Sequence, residues 1–216
     1  MRLVLIRHGE STWNVEGRYQ GRLDPPLSPR GREQAETLAA RMYREQLASV
    51  EADRFARIVS GPLVRARDTA QICAEQLGLP VAIDERLNEI SHGEWEGKLR
   101  EEIANRWPEM VAAWRSGPHT VQFPGGETLE DVRSRFESFL RDLPGDRGVL
   151  LFTHDVVIRI AILLTQGKPL AAFNDVRVDN AALNDFSYCG DKLTIVRLND
   201  TTHLGSLRSD TLTQAL

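Results

Sequence analysis

The chain has 216 residues, 41% of them hydrophobic and 27% charged, with a formal net charge of −4 at pH 7. This is the composition of an ordinary globular protein, and it lacks the basic patch or stripe of a nucleic-acid binder. Cys73 and Cys189 are the only cysteines, and their spacing suits neither a disulfide framework nor a zinc site. The cytoplasm is therefore the expected compartment. The longest apolar stretch, Val156 to Leu164, is interrupted by Arg159 and far too short to span a bilayer. The length suits one domain over residues 1–216.

Leu3-Val4-Leu5-Ile6 predicts a short strand buried on both faces, too short for a signal-peptide core. Ser28 is a good N-cap, with Pro29 at the first helical position. Ala35, Leu38, Ala39, Met42 and Leu47 then follow at near-helical spacing. Phe55 to Ser60 predicts a second strand. Leu63 to Leu77 predicts a helix closed by Gly78, with Pro80 beyond. Val81 to Ile83 is a third strand. Lys98 to Trp107 is a helix interrupted by Pro108. Thr128 caps an apolar stripe of Leu129, Val132, Phe136, Phe139, Leu140 and Leu143. Gly148 to Thr153 is a buried strand, and Asp155 to Gln166 a helix ended by Gly167 and Pro169. Ala181 to Tyr188 and Leu193 to Leu198 form a hairpin across Cys189-Gly190-Asp191-Lys192.

Strands alternating with helices predict an α/β fold, a largely parallel sheet covered on both faces, with the last two strands as a mixed edge. Ligands in such sheets bind beyond the C-terminal ends of the strands. Arg7-His8, Ser60 and Thr153-His154 all fall at those ends.

Four segments carry chemistry. In Arg7-His8-Gly9-Glu10-Ser11, neutral imidazole is a nucleophile that also leaves readily, and arginine offers a fork matched to phosphate oxygens. Gly9 would let backbone amides approach an anion. The second segment runs from Ser60 into the helix bearing Arg65, at an N-terminus that favours anions. Alone, Arg65 would be an ordinary solvated side chain. The third, Leu87 to Gly97, offers Glu89, Glu94 and Glu96 as acids for a leaving oxygen, and chemistry alone does not choose among them. In the fourth, Phe152-Thr153-His154-Asp155, a protonated or hydrogen-bond-donating His154 could stabilise charge on phosphoryl oxygens. Asp155 and Arg159 are placed to pair at i,i+4.

In this order the four segments resemble the histidine phosphatase superfamily, also called phosphoglycerate mutase-like, over essentially the whole chain. The resemblance implies a three-layer α/β/α sandwich with a mixed central sheet, no metal and no cofactor. It implies His8 as phosphorylated nucleophile, Arg7, Arg65 and His154 as the rest of the phosphate pocket, and Glu89 as general acid. Ser11, Asn14, Gln20 and Gly21 match positions that line phosphate or substrate. The non-attacking nitrogen of His8 should donate to a backbone carbonyl. One departure is Asp155, where the family commonly has a small residue. It would face the helix N-terminus or meet a cationic substrate group.

True mutases of the family carry a longer insertion than Lys98 to Pro124, so the compact segment, lid-like around 98–124, resembles that of a phosphatase. Gly17 to Pro25, Glu89 to Gly93 and Thr202 to Gly205 resemble the metal-independent phosphoserine phosphatases. In that group the histidine matching His92 and the C-terminal segment, here a tail from about residue 200 with His203, help to recognise the substrate carboxylate. The expected partner is a small phosphorylated metabolite, with L-phosphoserine the best single choice, and no nucleic acid or membrane. Homodimerisation is implied by resemblance alone. The competing readings are a phosphoglycerate mutase, a broad-specificity sugar phosphatase, and a catalytically silent partner subunit. Trp107, Trp114 and Cys73 are expected to pack rather than react.

Overall fold

The computed structural model describes residues 1–51, 54–143, 147–190, 192–210 and 214. Strand β1 (Arg2–Arg7) pairs in parallel with β4 (Gly148–Thr153), and β4 with β2 (Phe55–Ser60). The short β3 (Val81–Ile83) extends the parallel set outside β2. On the other side β5 (Leu183–Cys189) runs antiparallel to β1, and β6 (Lys192–Asp200) antiparallel to β5. The resulting order is β3-β2-β4-β1-β5-β6. This is the mixed α/β sheet expected, with the final hairpin as its antiparallel edge. Asp191, in that hairpin's turn, lies outside the described residues.

Side-chain alternation divides the core in two. Val4, Ile6, Leu150 and Phe152 face one side and pack on α2 (Pro29–Ala48) and α3 (Val64–Leu77). Leu3, Leu5, Val149 and Leu151 face the other and pack on α6 (Leu129–Asp142) and α7 (Asp155–Gln166). Both central strands are therefore apolar at every position between their ends, as a strand covered on both faces must be. Ser28 and Thr128 cap α2 and α6, and Gly78 and Gly167 adopt left-handed conformations that end α3 and α7.

Three boundaries differ from expectation. Ser11 caps a short helix, α1 (Thr12–Glu16), too brief to leave an apolar period. Lys98 to Trp107 shrinks to α4 (Arg100–Arg106), and Pro108 starts α5 (Pro108–Ser116) rather than merely interrupting. Proline suits a first helical position because no intrahelical partner awaits its N–H. Ala181 is not in the strand. Its φ of 53° is unusual for a residue with a Cβ, and its N–H reaches the carbonyls of Arg7 at 3.0 Å and His8 at 3.2 Å. The chain before β5 is thereby tied to the end of β1.

Candidate active site

The parallel strands β1, β2 and β4 end at one edge of the sheet, and the predicted residues meet there. His8 leaves β1 with its N–H donating to the Thr153 carbonyl at 3.1 Å. Its ring lies 5.3 Å, centroid to centroid, from that of His154, which caps α7 at the end of β4. His8 Nδ1 is 2.7 Å from the Gly9 carbonyl oxygen. A carbonyl only accepts, so Nδ1 carries the proton and Nε2 keeps its lone pair. Burial, and then the charges of Arg65 and Arg7, push the His8 pKa well below the usual histidine value. The ring is neutral at pH 7, as a nucleophile must be.

Arg7 and Arg65 are both buried. Arg7 Nη1 donates to the Val178 carbonyl at 2.8 Å and Nη2 to Gln214 Oε1 at 2.7 Å. Arg65 Nη1 and Nη2 donate to the carbonyls of Leu23 at 2.9 Å and Gly21 at 2.8 Å. The outer edges of both guanidinium groups are thus fixed by neutral backbone or amide oxygens. Their Nε atoms make no hydrogen bond among the described residues, and neither does either ring nitrogen of His154. Buried donors are rarely left so. Burial lowers the pKa of Arg7, and lowers that of Arg65 to about 10, with Glu89 and Asp24 acting in the opposite sense on Arg65. Both stay cationic at neutral pH. His154 is also pushed well below its usual value, by burial and then by Arg65 and His8. The ring is therefore neutral here, where sequence left a protonated form open.

The three carboxylates differ in their surroundings. Glu94 is half-exposed and paired with Arg106 at 3.3 Å. Glu96 Oε1 accepts from the His92 and Arg22 N–H groups and from Ser91 Oγ, at 3.0, 3.1 and 3.1 Å. Glu89 is buried, and its pKa is raised to about 7 by burial and the nearby Asp155 charge, against the pull of Arg65, the Ile90 N–H and Arg7. Of the three, it is the one buried beside the arginines.

Ser11, Asn14, Gln20 and Gly21 collect beside this pocket. Ser11 Oγ donates to Gln20 Oε1 at 2.8 Å and accepts from the Asn14 N–H at 3.1 Å. Gly21 contributes the carbonyl that holds Arg65. His92 sits within rings of Phe123, Tyr19 and Trp114, at centroid distances of 4.7, 5.2 and 6.4 Å. Burial brings its pKa down to about 3, and both its nitrogens are without hydrogen bonds. It is a neutral donor held in an apolar box. Trp114, on the 98–124 segment, helps to build that box, in keeping with its expected packing role.

Two expectations need correction. Gly9 does not open its amide to an anion: its N–H donates to Thr69 Oγ1 at 3.1 Å, and a Cβ there would strike the Gly31 carbonyl. The glycine lets α2 approach the catalytic loop. His203 is not among the pocket side chains. It lines a surface cleft with Arg41, Arg44, Glu45, Ala48 and Thr202, because residues 201–204 turn back against α2. Among the described tail residues, Gln214 reaches Arg7. Its Oε1 accepts from Arg7 and from Asn14 Nδ2 at 3.1 Å, and its Nε2 donates to Asn180 Oδ1 at 2.7 Å. Sequence reasoning missed Gln214, Asn180 and Thr69. Nothing local marks an amide or hydroxyl that acts through distant tertiary contacts.

A family model described as the histidine phosphatase superfamily (branch 1) matches residues 3–201. The chain belongs to that superfamily. It is 38% identical over 208 residues to "Phosphoserine phosphatase 1" of Hydrogenobacter thermophilus, covering 95% of both chains. Among solved structures it resembles "Bacillus stearothermophilus YhfR", with a TM-score of 0.84 and 31% identity over 94% of this chain and 98% of that one. A mutant phosphoserine phosphatase from Entamoeba histolytica in complex with phosphoserine gives a TM-score of 0.79 at 27% identity, again over 94% and 98%. This superfamily member is a phosphoric monoester hydrolase. No helix among the described residues is long and apolar enough to cross a membrane.

Proposed function

We propose that the enzyme hydrolyses a small phosphomonoester, with L-phosphoserine as the preferred substrate, through a phosphohistidine on His8. The observation that carries this reading is the cluster of buried Arg7, Arg65 and His154 near enough to bear on His8, with Arg7 Nε, Arg65 Nε and both His154 nitrogens making no hydrogen bond among the described residues. Such a cluster is matched by the oxygens of a phosphoryl group and by little else.

In the first step His8 Nε2 attacks phosphorus in line, the P–O ester bond breaks, and protonated Glu89 gives its proton to the leaving alkoxide. Arg7, Arg65 and His154 hold the three equatorial oxygens. In the second step the Glu89 carboxylate takes a proton from water as its oxygen attacks phosphorus. The P–N bond breaks, and its electron pair returns to Nε2. A carboxyl near pH 7 in proton affinity serves both steps. The chemistry needs no metal, so turnover should persist in EDTA.

The choice of phosphoserine rests on the relatives named above and on His92, a neutral donor beside the acid whose ring nitrogens are available to a substrate carboxylate. Steady-state kinetics on phosphoserine, phosphothreonine, phosphoglycerates, sugar phosphates and p-nitrophenyl phosphate test it. Phosphoserine should give the highest kcat/KM, and His92→Ala should lower that value while sparing p-nitrophenyl phosphate. Phosphoserine no better than p-nitrophenyl phosphate defeats the substrate assignment. Primed phosphoglycerate isomerisation at catalytic rates would favour the mutase.

A further inference from the structure

Asp155 opens α7 with no exposed surface, ion-paired with Arg159 at 2.7 Å and 3.7 Å from Arg7. A substrate ammonium would have to compete with two guanidinium ions already there, which argues against Asp155 as a receptor for a cationic group. Two other buried polar side chains, Gln34 and Thr69, take no part in the two chemical steps, yet both end on the backbone beside His8. Gln34 comes from α2. Gly31, one turn before it, has no Cβ to strike the Glu10 carbonyl, so α2 lies directly on the Gly9-Glu10 backbone. The Ser28 N–H donates to that carbonyl at 2.8 Å, and Gln34 Oε1 accepts the Glu10 N–H at 2.9 Å. Gln34 Nε2 donates to the Leu207 carbonyl at 2.7 Å and to Ser209 Oγ at 2.9 Å. A carbonyl only accepts and an N–H only donates, so the Gln34 amide has one orientation and all of it is in use.

Thr69 comes from α3. Its Oγ1 gives its single proton to the Arg65 carbonyl at 2.7 Å, so toward the Gly9 N–H, at 3.1 Å, it can only accept. The two peptides that flank Gly9 are therefore held at their N–H groups, one by each helix. The second bears directly on the nucleophile. The Glu10 N–H and the Gly9 carbonyl belong to one planar trans peptide and point in opposite directions. Gln34 on one side thus fixes the carbonyl on the other, 2.7 Å from His8 Nδ1. A tilt that breaks one contact weakens the other. That carbonyl keeps the proton on Nδ1 and faces the positive charge that grows on the ring as the P–N bond forms.

We propose that Gln34 and Thr69 are positioning residues: holding the peptides on either side of Gly9, they aim the Gly9 carbonyl at His8 Nδ1 and so keep the Nε2 lone pair free for attack. The kinetic consequence rests on His8 being the nucleophile of the proposed reaction; the site of the ring proton does not. Losing either side chain lets the Gly9 peptides tilt, the proton exchange between the two ring nitrogens, and the fraction of attacking tautomer fall.

The test uses the full chain with its histidines labelled with nitrogen-15, read by long-range proton–nitrogen correlation at pH 7, the His8 signals being those lost in His8→Ala. Wild type should carry the His8 proton on Nδ1. Thr69→Val and Gln34→Met keep the side-chain size and remove the polar atoms. Each should show a partly Nε2-protonated ring and lose about tenfold in kcat, with KM changed by less than about twofold. Thr69→Ser, which keeps the hydroxyl, should restore both readouts. The wild-type tautomer or the wild-type kcat in the folded variants overturns the proposal, as does a Thr69→Ser enzyme no better than Thr69→Val. Should one variant fail to fold by circular dichroism, the other decides alone. A wild-type proton on Nε2 overturns the proposal with no variant at all. Undiminished turnover in His8→Ala would instead defeat the nucleophile assignment, a separate outcome that the tautomer spectrum does not touch.

Discussion

Two clusters of arginine in this molecule show opposite electrostatic behaviour. On the β5–β6 side, Arg2 contacts Asp185 at 2.7 Å and Glu45 at 2.6 Å, and Arg41 contacts Asp200 at 2.8 Å and Glu45 at 3.0 Å. Burial works against both charges, but hydrogen bonds to these carboxylates prevail and raise the pKa of each arginine. In the candidate pocket, Arg7 and Arg65 donate their hydrogen bonds to uncharged oxygens, with Asp155 3.7 Å from Arg7, and burial lowers both. One cluster satisfies itself. The other keeps cationic donors ready for an anion the protein does not contain. The number of arginines does not separate a structural network from an anion site; whether carboxylates accept their hydrogen bonds does.

The comparison is broken most severely at the nucleophile. His8→Ala should lower kcat by on the order of 10⁴ or more, with Tm little changed, as single-turnover and calorimetric measurements would show. Arg7→Ala or Arg65→Ala should each lower kcat by about 10²–10³. Glu89→Gln should lower kcat by about 10²–10⁴ on poor leaving groups and by less on p-nitrophenyl phosphate, whose phenolate leaves without a proton. The same substitution carries a stability signature. The folded-state pKa of Glu89, about 7, lies above the ordinary carboxylate value of 4.5, so its protonated form favours the fold. That contribution is complete below the ordinary value and is lost as pH rises through about 7. Glu89→Gln should therefore raise Tm at pH 8, by an amount corresponding to at most about 3 kcal/mol, and leave it near wild type at pH 4.

The paired cluster gives the opposite sign. Glu45 and Asp200 are desolvated, yet their hydrogen bonds to arginine hold both pKa values below the usual range. Their contribution is present above the ordinary carboxylate pKa and is lost as pH falls through the lowered folded values. Glu45→Gln should cost about 1 kcal/mol at pH 7, read by urea denaturation, and less at pH 3, with kcat/KM unchanged. The smallest expected effect is at the tail. Gln214→Ala removes one neutral partner of Arg7 and should raise KM only a few-fold, as Nη2 finds water instead.

Much of the pocket was legible in the sequence because its chemistry sits where short, strongly patterned strands end. Leu3 to Ile6 and Gly148 to Thr153 are apolar throughout, so His8 and His154 stand out as the first polar groups beyond them. Glu89 was legible only through family resemblance. Its choice over Glu94 and Glu96 depends on burial and on Asp155, neither of which has a local signature. A helical segment around 98–124 is legible, but Pro108 reads as an interruption rather than as the first residue of α5, and Gln214 is hidden in a tail whose contacts span 207 residues to Arg7. His203 failed for the converse reason. A histidine near a chain end does not reveal which face of the turn it takes.

The central claim is the covalent intermediate, and rapid quenching measures it directly. The preferred substrate, radiolabelled in its phosphoryl group, is mixed with enzyme and quenched in alkali within one turnover. The account predicts acid-labile, base-stable label on the peptide containing His8, accumulating in Glu89→Gln and absent in His8→Ala. Turnover with no label on that peptide, or undiminished turnover in His8→Ala, would contradict it.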